Sequence, residues 1–143
     1  AFLVEKTDEL FITNIKTFGN DKDLFMRNLE KISMQGKNVY RFAVDKVPES
    51  IKEILIKSNL SNKEIDHVFC HQANIRIIKK ISQKTNIDIS RFHINLNEYG
   101  NTSAASIPIL VNSVSKTKIK RGEIILLTAF GAGLTVGSII MKW

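Results

Sequence analysis

Residues 68–80 read VFCHQANIRIIKK, and where this stretch is divided decides the fold. Its first part closes the run IDHVFC (65–70), which is short and apolar and reads as a buried strand. Its second part follows a different period. From about Ala73 to Thr85, Ile75, Ile78 and Ile81 recur at helical spacing and are expected to face inward, with Arg76, Lys79, Lys80 and Lys84 left to solvent. A strand that runs straight into a helix is one step of an α/β fold. His71 stands at the join, beyond the strand's carboxyl end, where the loops of open α/β sheets line ligand crevices.

The alternation continues on both sides. Downstream, RFHINL (91–96) sets Phe92, Ile94 and Leu96 against His93 and Asn95 and reads as a strand. YGNTSAAS (99–106) leads into a helix reaching about Lys116, with Pro108 in its early part. Gly122 turns the chain into EIILLTAF (123–130), and GAG (131–133) joins that strand to LTVGSIIMKW (134–143). Upstream, FLVEK (2–6) and ELFITNIKTFG (9–19) read as a strand pair, the second carrying its apolar positions at Leu10, Ile12 and Ile15. Residues 20–36 fit no single period, although EKISM (30–34) favours a short strand before Gly36. From Val39, residues Tyr40, Val44, Val47, Ile51, Ile54 and Leu55 mark a helix, which Pro48 is expected to bend or to restart. SNLSNKEID (58–66) holds the connecting turns. No repeat or linker divides the chain, so residues 1–143 are expected to form a single unit, a mixed α/β layer structure closed by a hairpin.

At 143 residues the chain is long enough to bury a sizeable core. It contains no run of about 18 apolar residues, which excludes a membrane-spanning helix at the level of sequence. The opening AFLVEKTDELF has neither the basic start nor the apolar core of a signal peptide, and it lacks an initiator Met; the expectation is a cut end rather than a natural start. The single cysteine, Cys70, rules out an internal disulfide framework and fits a reducing, cytoplasmic setting. The net charge of +7 favours acidic partners. Nucleic acid is an unfavoured one, since no recognition motif or clear aromatic platform accompanies the basic residues.

Several residues near predicted strand ends could carry chemistry, and each has a plainer reading. His71 can be a ligand-facing imidazole or a histidine satisfied by a backbone carbonyl. Neighbouring strand residues point to opposite faces, so Cys70 and His71 cannot easily clasp one ion, nor can His71 take the Cys70 proton. No metal site is expected, and Cys70 reads as a buried, inert thiol. Asn101 can be a helix N-cap or a carboxamide donor aimed into the crevice. The glycines of FGAGLTVG can make a hairpin turn or an oxyanion hole of bare N–H groups. A dinucleotide fingerprint is rejected, because β-branched residues rather than a helix follow them.

Taken together, HQANIRII, YGNTSAASIP and LLTAFGAGLTVGS closely resemble the C-terminal half of the β-ketoacyl-acyl carrier protein synthase III family, thiolase-fold condensing enzymes. MQGKNVYRFAVDKVPESI resembles the segment bordering that family's pantetheine tunnel. The resemblance implies the second half of a five-layer αβαβα fold and a Cys-His-Asn triad, in which His71 and Asn101 are the second and third members. It makes the turn at Ala132 an oxyanion donor, although many relatives carry glycine there, and a positive φ at an alanine would be strained. It places Gly36, Tyr40 and Asn74 along the phosphopantetheine path, and Arg76, with Lys80 one turn away, at the docking surface for an acidic acyl carrier protein. Their plainer reading is a solvated basic face.

The implied reaction is decarboxylative condensation of malonyl-acyl carrier protein with an acyl-coenzyme A primer at the start of fatty-acid synthesis. It needs no cofactor, the thioesters being substrates, and it involves neither membrane nor nucleic acid. The nucleophilic cysteine and most of the family's homodimer interface belong to the other half. Alone, the chain is therefore expected to be inactive, whether it is a piece of a longer enzyme or one chain of a split one. Rival readings on the same scaffold are a secondary-metabolite acyltransferase and a non-catalytic partner subunit.

Overall fold

The strand-to-helix step forms as the pattern predicts: β4 (His67–Cys70) is buried and leads to α2 (Ile75–Thr85). The structure is a computed structural model that describes residues 8–20, 22–27 and 31–143. The strand read over 2–6 lies outside these residues. Asn74 caps α2, its side chain accepting the Arg76 backbone N–H at 2.8 Å. Because the helix starts at Ile75, its inward stripe runs through Ile77, Ile78, Ile81, Ser82 and Thr85. At 100° per residue, Ile75 falls about a quarter turn from the centre of that stripe. It is 37% exposed, so the expectation that it faces inward is corrected.

One four-stranded mixed sheet organises the chain, in the order β1-β6-β5-β4. β1 (Phe11–Asn20) pairs antiparallel with β6 (Gly133–Lys142), and β6 pairs antiparallel with β5 (Ile124–Gly131), the hairpin read from the sequence. β4 lies parallel to β5, so the segment between them must cross over, which brings α2 and α4 into the fold. A separate hairpin joins β2 (Leu24–Arg27) to β3 (Lys31–Met34). β3 matches the strand expected at EKISM, whereas β2 had no clear signal. Next comes α1 (Gly36–Ser58), unbroken through Pro48, so no second helix begins there. The short α3 (Leu96–Tyr99) precedes α4 (Ser106–Lys118).

Helices pack on both faces of the sheet. On one, the β6 residues Val136 and Ile140 pack with Val47, Ile51 and Ile54 of α1 and with Ile77, Ile78 and Ile81 of α2. On the other, Phe69 and Ile125 pack with Leu110, Val111 and Val114 of α4. Each such large apolar side chain stabilises the fold by about 1.5–3 kcal/mol when fully buried.

A polar seam crosses the first interface: Asn14 Nδ2 donates to Ser50 Oγ (3.2 Å), which meets Ser138 Oγ (2.9 Å), which in turn meets Thr128 Oγ1 (3.0 Å). The inward residue after Ile12 is therefore Asn14. Ile15, expected on the apolar face, is 69% exposed.

RFHINL is not a strand. Phe92 makes a single bridge to Val68, and α3 begins at Leu96. The cause is the fully buried Gln72. Its Oε1 accepts the Asn95 N–H (3.2 Å) and its Nε2 donates to the carbonyls of Cys70 (2.8 Å) and His93 (3.3 Å). These bonds engage backbone groups that a strand would offer to a neighbour, and they bury Asn95 while Ile94 turns out to 38% exposure.

Candidate active site

The carboxyl ends of the parallel strands β4 and β5 open on a cleft of about 910 Å³. His71, Asn101 and Ala132 all line it, arriving from the end of β4, the loop before α4 and the β5–β6 turn. Gly36, Tyr40 and Asn74 line it too, as do Leu24, Ile32 and Met34 of the small hairpin. Arg76 and Lys80 lie outside it, exposed on α2.

His71 is held from several directions. Its backbone N–H donates to the Thr128 carbonyl (2.9 Å), tying it to β5. Its Nδ1 lies 2.7 Å from Ser106 Oγ, and the Phe130 ring meets its own ring edge-on at 5.4 Å between centroids. So the partner of Nδ1 is a side-chain hydroxyl and not the backbone carbonyl of the plainer reading. Burial pushes the His71 pKa below its ordinary value, which keeps the imidazole neutral at pH 7.

Asn101 is not the residue next to a long helix; it stands five positions before α4 begins. Its Oδ1 accepts the Ser103 N–H (3.0 Å) in an Asx turn, and Ser103 takes a left-handed φ of 51° to complete the loop. Since a backbone N–H can only donate, the carboxamide oxygen is engaged and the NH2 remains as donor.

In the glycine-bearing turn, the positive φ falls on Gly133 (124°) and not on Ala132. The strain expected of an alanine there does not arise, and the Ala132 N–H is retained. Asn74 has two places in the structure, as a lining residue and as the cap of α2 through Oδ1.

Cys70 is fully buried, and burial pushes its thiol up to about 12, so it is a protonated core residue. Among the described residues no group of three or more His, Cys, Asp or Glu side chains is arranged to hold a metal ion. No helix there is long and apolar enough to cross a membrane.

Reading by pattern missed Ser106, Phe130 and Gln72. A serine at a helix start reads as a cap, Phe130 as strand core, and Gln72 as part of a loop. Only their place among His71's neighbours gives them a role.

An imidazole, a carboxamide and a glycine turn gathered at the strand ends of a helix-flanked mixed sheet define a thiolase-like α/β half. Residues 55–143 match the family model for the 3-oxoacyl-[acyl-carrier-protein (ACP)] synthase III C terminal. The chain belongs to that family. It is 50% identical over 111 residues to β-ketoacyl-[acyl-carrier-protein] synthase III of Lactobacillus helveticus, covering 77% of this chain and 34% of the relative. With the enzyme of the same name from Clostridium tetani it shares 42% identity over 142 residues, 99% of this chain and 41% of that one. The crystal structure of 3-oxoacyl-[acyl-carrier-protein] synthase III from Aquifex aeolicus superposes with a TM-score of 0.90 at 36% identity, over 97% of this chain and 46% of that chain. The chain thus spans less than half the length of these relatives.

Proposed function

We propose that this chain supplies the decarboxylation donors of a 3-oxoacyl-acyl carrier protein synthase III. The supporting observation is that His71, Asn101 and Ala132, far apart in sequence, share one cleft at the carboxyl ends of β4 and β5. In this reading a cysteine from the other half carries the acyl group taken from acyl-coenzyme A. The malonyl thioester of acyl carrier protein enters along Gly36, Tyr40 and Asn74, with its carrier docked on Arg76 and Lys80.

The bond from the malonyl methylene to its carboxylate breaks, carbon dioxide leaves, and the electron pair forms an enolate on the thioester. The enolate oxygen needs donors where its charge develops, and His71 Nε2–H and Asn101 Nδ2–H supply them. The enolate carbon then attacks the acyl-cysteine carbonyl. The resulting tetrahedral oxyanion takes the Ala132 N–H, and its collapse expels the cysteine thiolate. The malonyl carboxylate provides the electron pair, so no cofactor is called for.

The test is release of carbon dioxide from malonyl-carrier protein by the whole enzyme, this chain together with its cysteine-bearing half. His71→Ala and Asn101→Ala are each expected to lower the rate by about 10²–10³-fold, the usual loss of one oxyanion donor. Rates within a few-fold of wild type would remove these residues from the mechanism. Acyl transfer without carbon dioxide release would instead favour an acyltransferase that does not elongate.

A further inference from the structure

Resting on the reading of His71 as a donor, we propose that Ser106 is a positioning residue that locks His71 in the tautomer with its proton on Nε2. The inference comes from counting protons around one buried oxygen. Ser106 opens α4 and is 2% exposed. Its Oγ has two neighbours, His71 Nδ1 at 2.7 Å and the Gln72 backbone N–H at 3.4 Å.

The Gln72 N–H can only donate, so it occupies one lone pair of the hydroxyl oxygen. The hydroxyl has one proton to place, and Nδ1 is its only acceptor among the described residues. If Nδ1 carried the ring proton instead, both neighbours would donate to Oγ, and the hydroxyl proton would be buried with no acceptor among the described residues. Leaving a buried donor without a partner is costly, a strong bias between two tautomers of one neutral ring. The proton therefore belongs on Nε2, the nitrogen left for the cleft.

Two features reinforce the lock. Gln72 is fixed by its own three side-chain bonds, so the N–H that orients the hydroxyl cannot drift. The His71 backbone is tied to Thr128, and the Phe130 ring limits its rotation. Asn101 and Ser106 fall within one short stretch, NTSAAS, that runs into α4, so a single segment delivers one donor directly and orients the other.

The test uses the whole enzyme with 15N-labelled histidine. Two-bond proton–nitrogen correlation of His71 is expected to show a protonated Nε2 and a bare Nδ1; a protonated Nδ1 in the wild type overturns the proposal. In Ser106→Ala, mixed tautomers and a fall of about tenfold or more in kcat for malonyl-carrier decarboxylation are expected, with KM held within about twofold. Ser106→Thr, which keeps the hydroxyl, is expected to restore both the spectrum and most of kcat.

A Ser106→Ala enzyme with an unchanged His71 spectrum, or with kcat within twofold of wild type, also overturns it. His71→Ala separates the two layers. If that variant loses decarboxylation while Ser106→Ala does not, the positioning role alone is wrong. If His71→Ala keeps its activity, the donor reading itself falls.

Discussion

Alanine at position 132 looks like a defect only while the turn's dihedrals are guessed from its glycines. The left-handed strain sits one residue later, at Gly133, whose φ is 124° and whose added Cβ would lie 2.7 Å from Thr135 Oγ1. Ala132→Gly should therefore destabilise the chain slightly, by about 0.4–1 kcal/mol, through the freedom glycine adds to the unfolded state. Gly133→Ala should cost about 1–3 kcal/mol or more, since it adds a clash to a forbidden dihedral. Urea unfolding of the two variants checks this ordering, and equal midpoints would contradict it. Cys70 gives a second residue-scale expectation. With its thiol buried and pushed up to about 12, it should resist a maleimide at pH 8 in the native protein and react once denatured. Rapid native labelling would refute the burial. The motifs HQANIRII and YGNTSAASIP singled out His71 and Asn101 as cleft candidates, although only His71 follows a strand and Asn101 follows the short α3. Ser106 was not, because a hydroxyl at a helix start satisfies capping rules without pointing to any partner 35 positions away.

Elements with a strong period formed where the sequence put them: α1, α2, α4, β4 and the β5–β6 hairpin. The misread segment, 91–96, failed because its alternation was accidental: Gln72 took up its backbone groups and a histidine pair anchored its start. His93 Nε2 lies 2.9 Å from His67 Nδ1, and His67 Nε2 lies 2.9 Å from Glu123 Oε2, so the start of β4, the 92–95 segment and the approach to β5 share one hydrogen-bonded chain. His93 also stacks on Phe69, 4.8 Å between centroids. Burial, with His67 and Lys118 nearby, pushes its pKa down to about 4. The folded state thus resists a proton that the unfolded chain accepts near pH 6.5. The contribution is fully present above pH 6.5 and declines as pH falls from there towards 4. The urea midpoint should drop across that window, and His93→Gln should flatten the slope. An identical slope in the variant would assign the acid sensitivity elsewhere. Glu123, whose carboxylate is stabilised first by the Lys120 N–H and then by His67, lies below its usual range and acts at lower pH.

At the scale of the molecule, β1 carries exposed apolar side chains and one face of α2 is charged. Phe11 (57% exposed) stands opposite Met141, and so on the α4 side of the sheet; Ile15 shares that side, and both are exposed among the described residues. The solved relative is about twice as long, so we expect the cysteine-bearing half to pack over this strip. In the proposed function the charged face bears on the carrier-bound substrate. Lys84 is drawn to Asp45 at 2.6 Å, whereas Arg76 and Lys80 make no ion pair among the described residues and stand a turn apart beyond the rim of the cleft. An acidic carrier protein seated there would bring its prosthetic arm past Asn74, which caps the same helix. Exposed charge pairs act over about a Debye length, roughly 8–10 Å at moderate salt, so they chiefly set encounter and affinity and leave chemistry beyond the rim unchanged. Arg76→Glu in the whole enzyme should therefore raise KM for malonyl-carrier protein by about tenfold, with kcat within about twofold of wild type. Added salt should raise the wild-type KM and affect the variant less. Malonyl-coenzyme A, which lacks the protein partner, should be turned over equally by both. A variant with unchanged KM and unchanged salt response would mean that this basic face is only solvated and that the carrier approaches from the other half.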